Sequence, residues 1–271
     1  MQAKRDRFLA ALAERPVIMG IVNLTPDSFS DGSQFNTRDA AIAQAKKLVA
    51  DGADIVDIGA ESTRPGYTPV PEEEELARLE PILPDLVQAV EEPVSIDTYK
   101  AAVARYAIAA GVAVVNDVWG LQKDPAMADT IAAGEAAVVV MHNRTEIDPA
   151  IDILADMRRF FDTSLALAER AGIPRHFVIL DPGIGFGKTK EQNLAALRGL
   201  PALRDYGLPL LVGVSRKSIF GQLLGAKVQS RLVGTLAANL IAATQGASVF
   251  RVHDAAEHAA AFKVLDAISH G

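Results

Sequence analysis

The stretch VIMGIVNLTPDSFSDG, residues 17–32, decides how the chain is read. Its first half is a near-continuous apolar run, the mark of a strand covered on both faces, as in a parallel sheet. Its second half is turn chemistry, with Thr25, Pro26, Asp27, Ser28, Ser30, Asp31 and Gly32 around a single large apolar residue, Phe29. An open doubly wound sheet, the alternative α/β architecture, would carry a glycine-rich dinucleotide fingerprint directly after its first strand. This stretch supplies none. A strand running into a polar loop suits a (β/α)8 barrel instead, where reacting groups collect at the C-terminal ends of the strands.

Seven further runs of the same kind follow: DIVDIGA (54–60), PVSIDT (93–98), AVVNDV (113–118), AAVVVMH (136–142), FVILDP (177–182), PLLVGVS (209–215) and SVFRVHD (248–254). Helical segments separate them. Thr37 is placed to cap a helix whose Ile42, Ala45 and Val49 share one face and which Gly52 ends. Asp124-Pro125 and Asp148-Pro149 each join an N-cap residue to a first-turn proline, and Gly111, Gly134 and Gly172 stand where helices stop. Pro81 and Pro84 should kink or split the helix beginning near Pro71. With no low-complexity linker, the pattern predicts one α/β domain over residues 1–271: a single (β/α)8 TIM barrel preceded by a short N-terminal helix in MQAKRDRFLAALAERP.

Composition bounds the function. The 271 residues are 49% apolar and 23% charged, and no apolar run is long enough to cross a bilayer, which predicts a soluble protein with no membrane partner. The chain has no cysteine, excluding disulfides, thiolate metal sites and cysteine nucleophiles, and suiting a reducing cytosol. The first residues lack the apolar core and cleavage site of a secretion signal, so a cytoplasmic location is expected. A net charge of −7 argues against a nucleic-acid partner but allows a small anion held by local cations.

The ends of the eight runs read Asn23; Glu61-Ser62-Thr63-Arg64; Asp97; Asn116-Asp117; His142-Asn143; Asp181; Ser215-Arg216-Lys217-Ser218; and Arg251 with His253-Asp254. In a barrel these converge on one mouth. They are acids, amides and cations without a nucleophilic triad, a mixture suited to a ligand with a hydrogen-bonding heterocycle at one end and an anion at the other. Buried carboxylates such as Asp97 or Asp181 accept paired N–H donors, and Lys217, Arg64, Arg251 and His253 can hold phosphate oxygens. Asp57 and Glu61 are expected to pair or cap inside the mouth, Asp117 and Asp254 to cap or support, and Trp119 to pack. GIGFGKT (183–189) falls one residue short of a P-loop, and the histidines lack zinc spacing.

The segments MGIVNLTPDSFSDG, DIGAESTRPG, SIDT, VNDVWG, VMHN, DPGIGFGKT, GVSRKS, RLVGTLAAN and FRVHD, in this order from about Val17 onward, closely resemble the dihydropteroate synthase family of folate biosynthesis. The resemblance implies a transferase that condenses 6-hydroxymethyl-7,8-dihydropterin diphosphate with p-aminobenzoate, giving 7,8-dihydropteroate and diphosphate with the help of magnesium. It implies a pterin pocket of Asp97, Asn116, Met141, Asp181, Lys217 and Arg251, and a diphosphate site of Asn23, Thr63, Arg64, Arg251 and His253. The p-aminobenzoate site would comprise Phe29, Thr63, Pro65, Phe186, Lys217 and Ser218. Asn23, Asp31, Lys217, Arg251 and His253 would carry the chemistry, with Asn23 and Asp31 meeting the metal. Loop 24–32 is expected to close over bound diphosphate, turning one of its aspartates, Asp31 in preference to Asp27, to the magnesium and laying Phe29 over the aminobenzoate. A homodimer through late helices is expected.

Ring nitrogens that feed the pterin methylene favour an SN1-like displacement, and the weakly basic aniline needs positioning rather than a general base. One departure from the family stands after the fifth run, where MHNRTEIDPA replaces a common MHMQG pattern. Two rival readings are a pterin-dependent corrinoid methyltransferase domain, disfavoured by SRKS, FRVHD and the loop after the first run, and a non-catalytic pterin-binding protein.

Overall fold

Eight parallel strands carry the fold: β1 (Val17–Asn23), β2 (Ile55–Gly59), β3 (Val94–Asp97), β4 (Val114–Asp117), β5 (Ala137–Met141), β6 (Val178–Asp181), β7 (Leu211–Val212) and β8 (Val249–Val252). The structure, a computed structural model, describes residues 1–24, 34–61, 69–225 and 227–270. The strands pair in the order β6-β5-β4-β3-β2-β1-β8-β7. A parallel bridge between Leu180 and Leu210 closes the remaining seam, with the Leu180 N–H donating to the Pro209 carbonyl at 2.9 Å. The result is a (β/α)8 barrel. Nearly every strand residue is buried, which is why the runs show no polar alternation.

The helices are α1 (Gln2–Glu14), α2 (Gln34–Ala50), α3 (Glu72–Leu79), α4 (Leu83–Ala89), α5 (Ala101–Ala109), α6 (Met127–Ala133), α7 (Ile153–Ala171), α8 (Lys190–Arg198), α9 (Leu200–Leu203), α10 (Ser218–Leu224), α11 (Leu232–Thr244) and α12 (Ala255–His270). Helix α1 buries Phe8 and Leu12. It also sets the Arg5 guanidinium 4.1 Å from the Phe177 ring, beside the start of β6. The Pro81–Pro84 segment splits α3 from α4, and Gly172 ends α7 in the left-handed region at φ +82°. Among the described residues, no helix is long and apolar enough to cross a membrane.

Three punctuation marks fall differently from the sequence reading. Thr37 lies inside α2, which starts at Gln34. Asp148 accepts from the Ala150 N–H, but the N-cap of α7 is Asp152, which accepts from Leu154 and Ala155. Asp124 closes a turn onto Ala126 and accepts from the Ala101 N–H at 2.7 Å, tying the start of α5 to the β4–α6 loop, while α6 begins later at Met127. Each aspartate does what its short side chain favours, bonding to a backbone N–H two residues on; such a turn can precede a helix without starting one.

Candidate active site

Arg251 on β8 sits between two acids from distant parts of the chain. Its Nε donates to Asp57 Oδ2 at 2.6 Å, and its Nη2 donates to Asp97 Oδ2 at 2.7 Å. Asn116 Nδ2 also reaches Asp57 Oδ2, at 3.4 Å. Strand register makes this possible: Gly59 of β2 lies opposite Asp97 of β3, and Asp97 lies opposite Asn116 of β4. Asp57, Asp97 and Asn116 are all buried. The Oδ1 atoms of both acids have no hydrogen-bond partner among the described residues. Burial raises the pKa of Asp97 while the Arg251 charge opposes it; burial alone would lower Arg251, but Asp57 and Asp97 raise it.

Across the mouth, Asp181 ends β6 and fixes the following turn by accepting from the Gly183 N–H at 2.7 Å. Burial raises its pKa, against the charge of Lys217 and the Gly183 N–H. Lys217 follows β7 at the N-terminus of α10. Its ammonium donates to the Ile184 carbonyl and lies 4.4 Å from the centre of the Phe186 ring. Burial pulls Lys217 down to about 8, with Asp181 opposing, so it is mostly protonated at pH 7. Between these polar groups lies an apolar cluster separate from the barrel core: Tyr99, Val118 and Met141, packed by Trp119 and Phe186.

His253, just past β8, is held from behind. The Ser215 hydroxyl oxygen accepts from the His253 backbone N–H at 3.1 Å and lies 2.9 Å from Nδ1. Arg216, at φ +56°, pairs with Asp254 and so ties the Lys217 turn to the end of β8. Asn23 ends β1 half-buried opposite Gly59, and Ser218 opens α10 exposed. Phe29, Asp31, Thr63, Arg64 and Pro65 lie outside the described residues.

Glu61 accepts from the Tyr99 hydroxyl at 3.0 Å and pairs with Lys100, which also pairs with Glu75. Asp117 caps the Trp119 and Leu121 N–H groups. In the variant segment, Asn143 donates to the Val118 carbonyl and Arg144 pairs with Asp156 of α7, so both brace the β5–α7 loop. Two residues near the site escaped the sequence reading. Tyr99 could have been found as an aromatic immediately after a strand end; Lys188 was seen only as part of a failed P-loop. Among the described residues no group of three or more acids or histidines is placed to hold a metal ion, and Asn23 is the described member of the expected pair.

Acids and cations thus stand beside an apolar cluster at the C-terminal mouth of the barrel, and the family model for pterin binding enzymes matches residues 19–253. A dihydropteroate synthase of Clostridium beijerinckii is 47% identical over 261 residues, covering 95% of this chain and 96% of the relative. The crystal structure of the Clostridium difficile dihydropteroate synthase, determined in the presence of pteroic acid, superposes with a TM-score of 0.92 at 46% identity, covering 95% and 98% of the two chains. That of Xanthomonas albilineans, with 4-aminobenzoic acid, gives 0.91 at 44% identity, covering 95% and 94%. The chain belongs to the dihydropteroate synthase family.

Proposed function

We propose that this chain joins 6-hydroxymethyl-7,8-dihydropterin diphosphate to p-aminobenzoate and releases 7,8-dihydropteroate and diphosphate. The observation that carries this reading is the arrangement of Asp97–Arg251 and Asp181–Lys217 around the Met141–Phe186 wall. A pterin offers flat faces to such a wall and an N–H-rich edge to carboxylates. Asp181 and Asp97 accept from that edge, Asn116 both donates and accepts, and Lys217 donates to a ring acceptor while Arg251 lies against the ring. The buried Oδ1 of Asp97, without a partner among the described residues, is an acceptor in need of a donor.

The diphosphate falls to Asn23, Thr63, Arg64, Arg251 and His253, where guanidinium groups and the His253 ring stabilise charge as the C–O bond breaks. Magnesium suits the oxygen donors assigned to it, the Asn23 amide and the Asp31 carboxylate, and when bound would neutralise charge on the leaving diphosphate. The methylene carbon is left cationic, its charge shared with the ring nitrogens. The aniline nitrogen then attacks, forming the C–N bond and giving its proton to water. Phe29, Thr63, Pro65, Phe186, Lys217 and Ser218 orient the p-aminobenzoate, Lys217 and Ser218 toward its carboxylate.

A homodimer is supported by exposed apolar residues concentrated late in the chain: Leu223, Leu224, Val228, Val233, Ile241, Val264 and Ile268. A cytoplasmic location is supported by the lack of cysteine. The decisive assay follows diphosphate release from the pterin substrate. Release that requires both p-aminobenzoate and magnesium is expected. Methyl transfer from a methylated folate to a corrinoid, with no amine-dependent diphosphate release, would replace this reading with the methyltransferase one.

A further inference from the structure

Lys188 is a buried cation that the reaction above does not use. The residue is only 5% exposed, and its ammonium donates to three carbonyl oxygens: Gly183 at 2.8 Å, Phe186 at 3.1 Å and His142 at 3.3 Å. An ammonium has three N–H donors, so its capacity is filled. Two of the carbonyls belong to the loop between β6 and α8; the third follows β5. One side chain thus ties the loop to itself and to the neighbouring strand. The loop is shaped to wrap it, since Gly183, Gly185 and Gly187 adopt φ of +63°, +88° and +56°. Glycine enters this region without strain. A Cβ on Gly183 would stand 1.8 Å from the His142 carbonyl oxygen, so the loop also passes too close for any side chain there.

The same short loop faces the site on its other side. The Gly183 N–H donates to Asp181, the Ile184 carbonyl accepts from Lys217, and the Phe186 ring lies against the Lys217 ammonium. Residues gripped by Lys188 therefore alternate with, or are the same as, residues that fix Asp181 and Lys217. We propose that Lys188 is a positioning residue for pterin recognition: by pinning the carbonyls of His142, Gly183 and Phe186, it sets the loop that holds Lys217 beside Asp181. The inference rests on the assignment of Asp181 and Lys217 to the pterin ring. Burial pulls Lys188 down to about 7, with Asp181 opposing. Holding a cation here thus costs free energy that an apolar side chain would not, and the carbonyl bonds offset it.

Calorimetry on the full chain with two probes, 6-hydroxymethylpterin and inorganic diphosphate with magnesium, separates positioning from general support. Lys188→Met should weaken the pterin by about tenfold to a hundredfold, the scale of one misaligned charged hydrogen bond, and leave diphosphate within about twofold, because Arg251 lies on β8 and His253 just past it, away from this loop. Lys188→Gln, which keeps N–H donors without the charge, should fall between wild type and Lys188→Met. If Lys188→Met does not fold, Lys188→Gln carries the same comparison. Wild-type pterin affinity in the folded variants, or equal losses for both probes, would overturn the proposal alone. A wild-type chain that binds no pterin would sink the ring assignment, and this proposal with it.

Discussion

Arg251 has two tasks, and they can be told apart by substitution. It faces the bound diphosphate in the proposed reaction, and it pairs with both Asp57 and Asp97. Arg251→Ala should therefore cost more than substrate affinity. It leaves two buried carboxylates unpaired, a loss of about 3–5 kcal/mol that urea unfolding at pH 7 would measure. Asp181→Asn is the contrast. The amide oxygen can still accept from the Gly183 N–H, so unfolding should change little while pterin binding weakens by roughly 2–4 kcal/mol, read by calorimetry. A variant at Arg251 as stable as wild type would mean the two acids are protonated or solvated once the guanidinium is gone.

His142 offers a residue-scale test with a sign. Its ring is buried against Phe160, with centroids 5.0 Å apart, and Nε2 lies 3.1 Å from Asp156 Oδ2. Burial pulls its pKa down to about 3, against the attraction of Asp156, from an ordinary value of 6.5. Between these values the unfolded chain binds the proton and the folded chain does not, so stability from this group is present above pH 6.5 and is lost as pH falls toward 3. From pH 7 to 4.5 the loss is about 2–3 kcal/mol. His142→Phe keeps a ring of similar shape and cannot take up the proton. Its unfolding free energy should fall by that much less than wild type over the same interval; parallel curves would show that His142 does not titrate as placed.

Strands were more legible than helix ends, for a reason visible in particular elements. The run 17–23 is β1 residue for residue, because a strand buried on both faces writes its whole length as apolar sequence. The run 209–215 overstates β7, which pairs in the ladder only at Leu211 and Val212 while Leu210 makes the closing bridge. Its later residues turn toward Lys217, and their apolarity reflects burial rather than pairing. Helix starts depend on which of several nearby aspartates has the right backbone geometry, and composition does not say. Asp148 and Asp152 are chemically alike; only Asp152 accepts from two N–H groups of α7. Asp152→Ala should destabilise the fold by about 1 kcal/mol and Asp148→Ala by a few tenths, compared by urea midpoint. Equal effects would place the cap elsewhere.

At the scale of the molecule, the sequence put candidate groups at the strand ends but did not show their partners. Each strand end was readable alone, yet the Arg251–Asp57 pair spans 194 positions and exists only because the barrel closes. Lys188 stayed hidden for the same reason: nothing local reveals that three carbonyls converge on it. Association lies further still from sequence, because an apolar residue on a helix does not announce whether it faces a core or a partner. The fold shows which of them are exposed. Along α11, Thr235, Asn239 and Ala242 are buried, while Val233 and Ile241 are 74% and 59% exposed; on α12, Val264 and Ile268 are 59% and 79% exposed. Large apolar side chains on these two neighbouring helices are what a second copy of the chain would cover. In the proposed homodimer, Ile241→Glu combined with Val233→Glu should place charges in that contact and shift the protein toward the monomer in sedimentation equilibrium. Both positions are exposed in the single chain, so the monomer should stay folded, with an unchanged circular dichroism spectrum. A double variant that sediments like wild type would remove α11 from the proposed subunit contact.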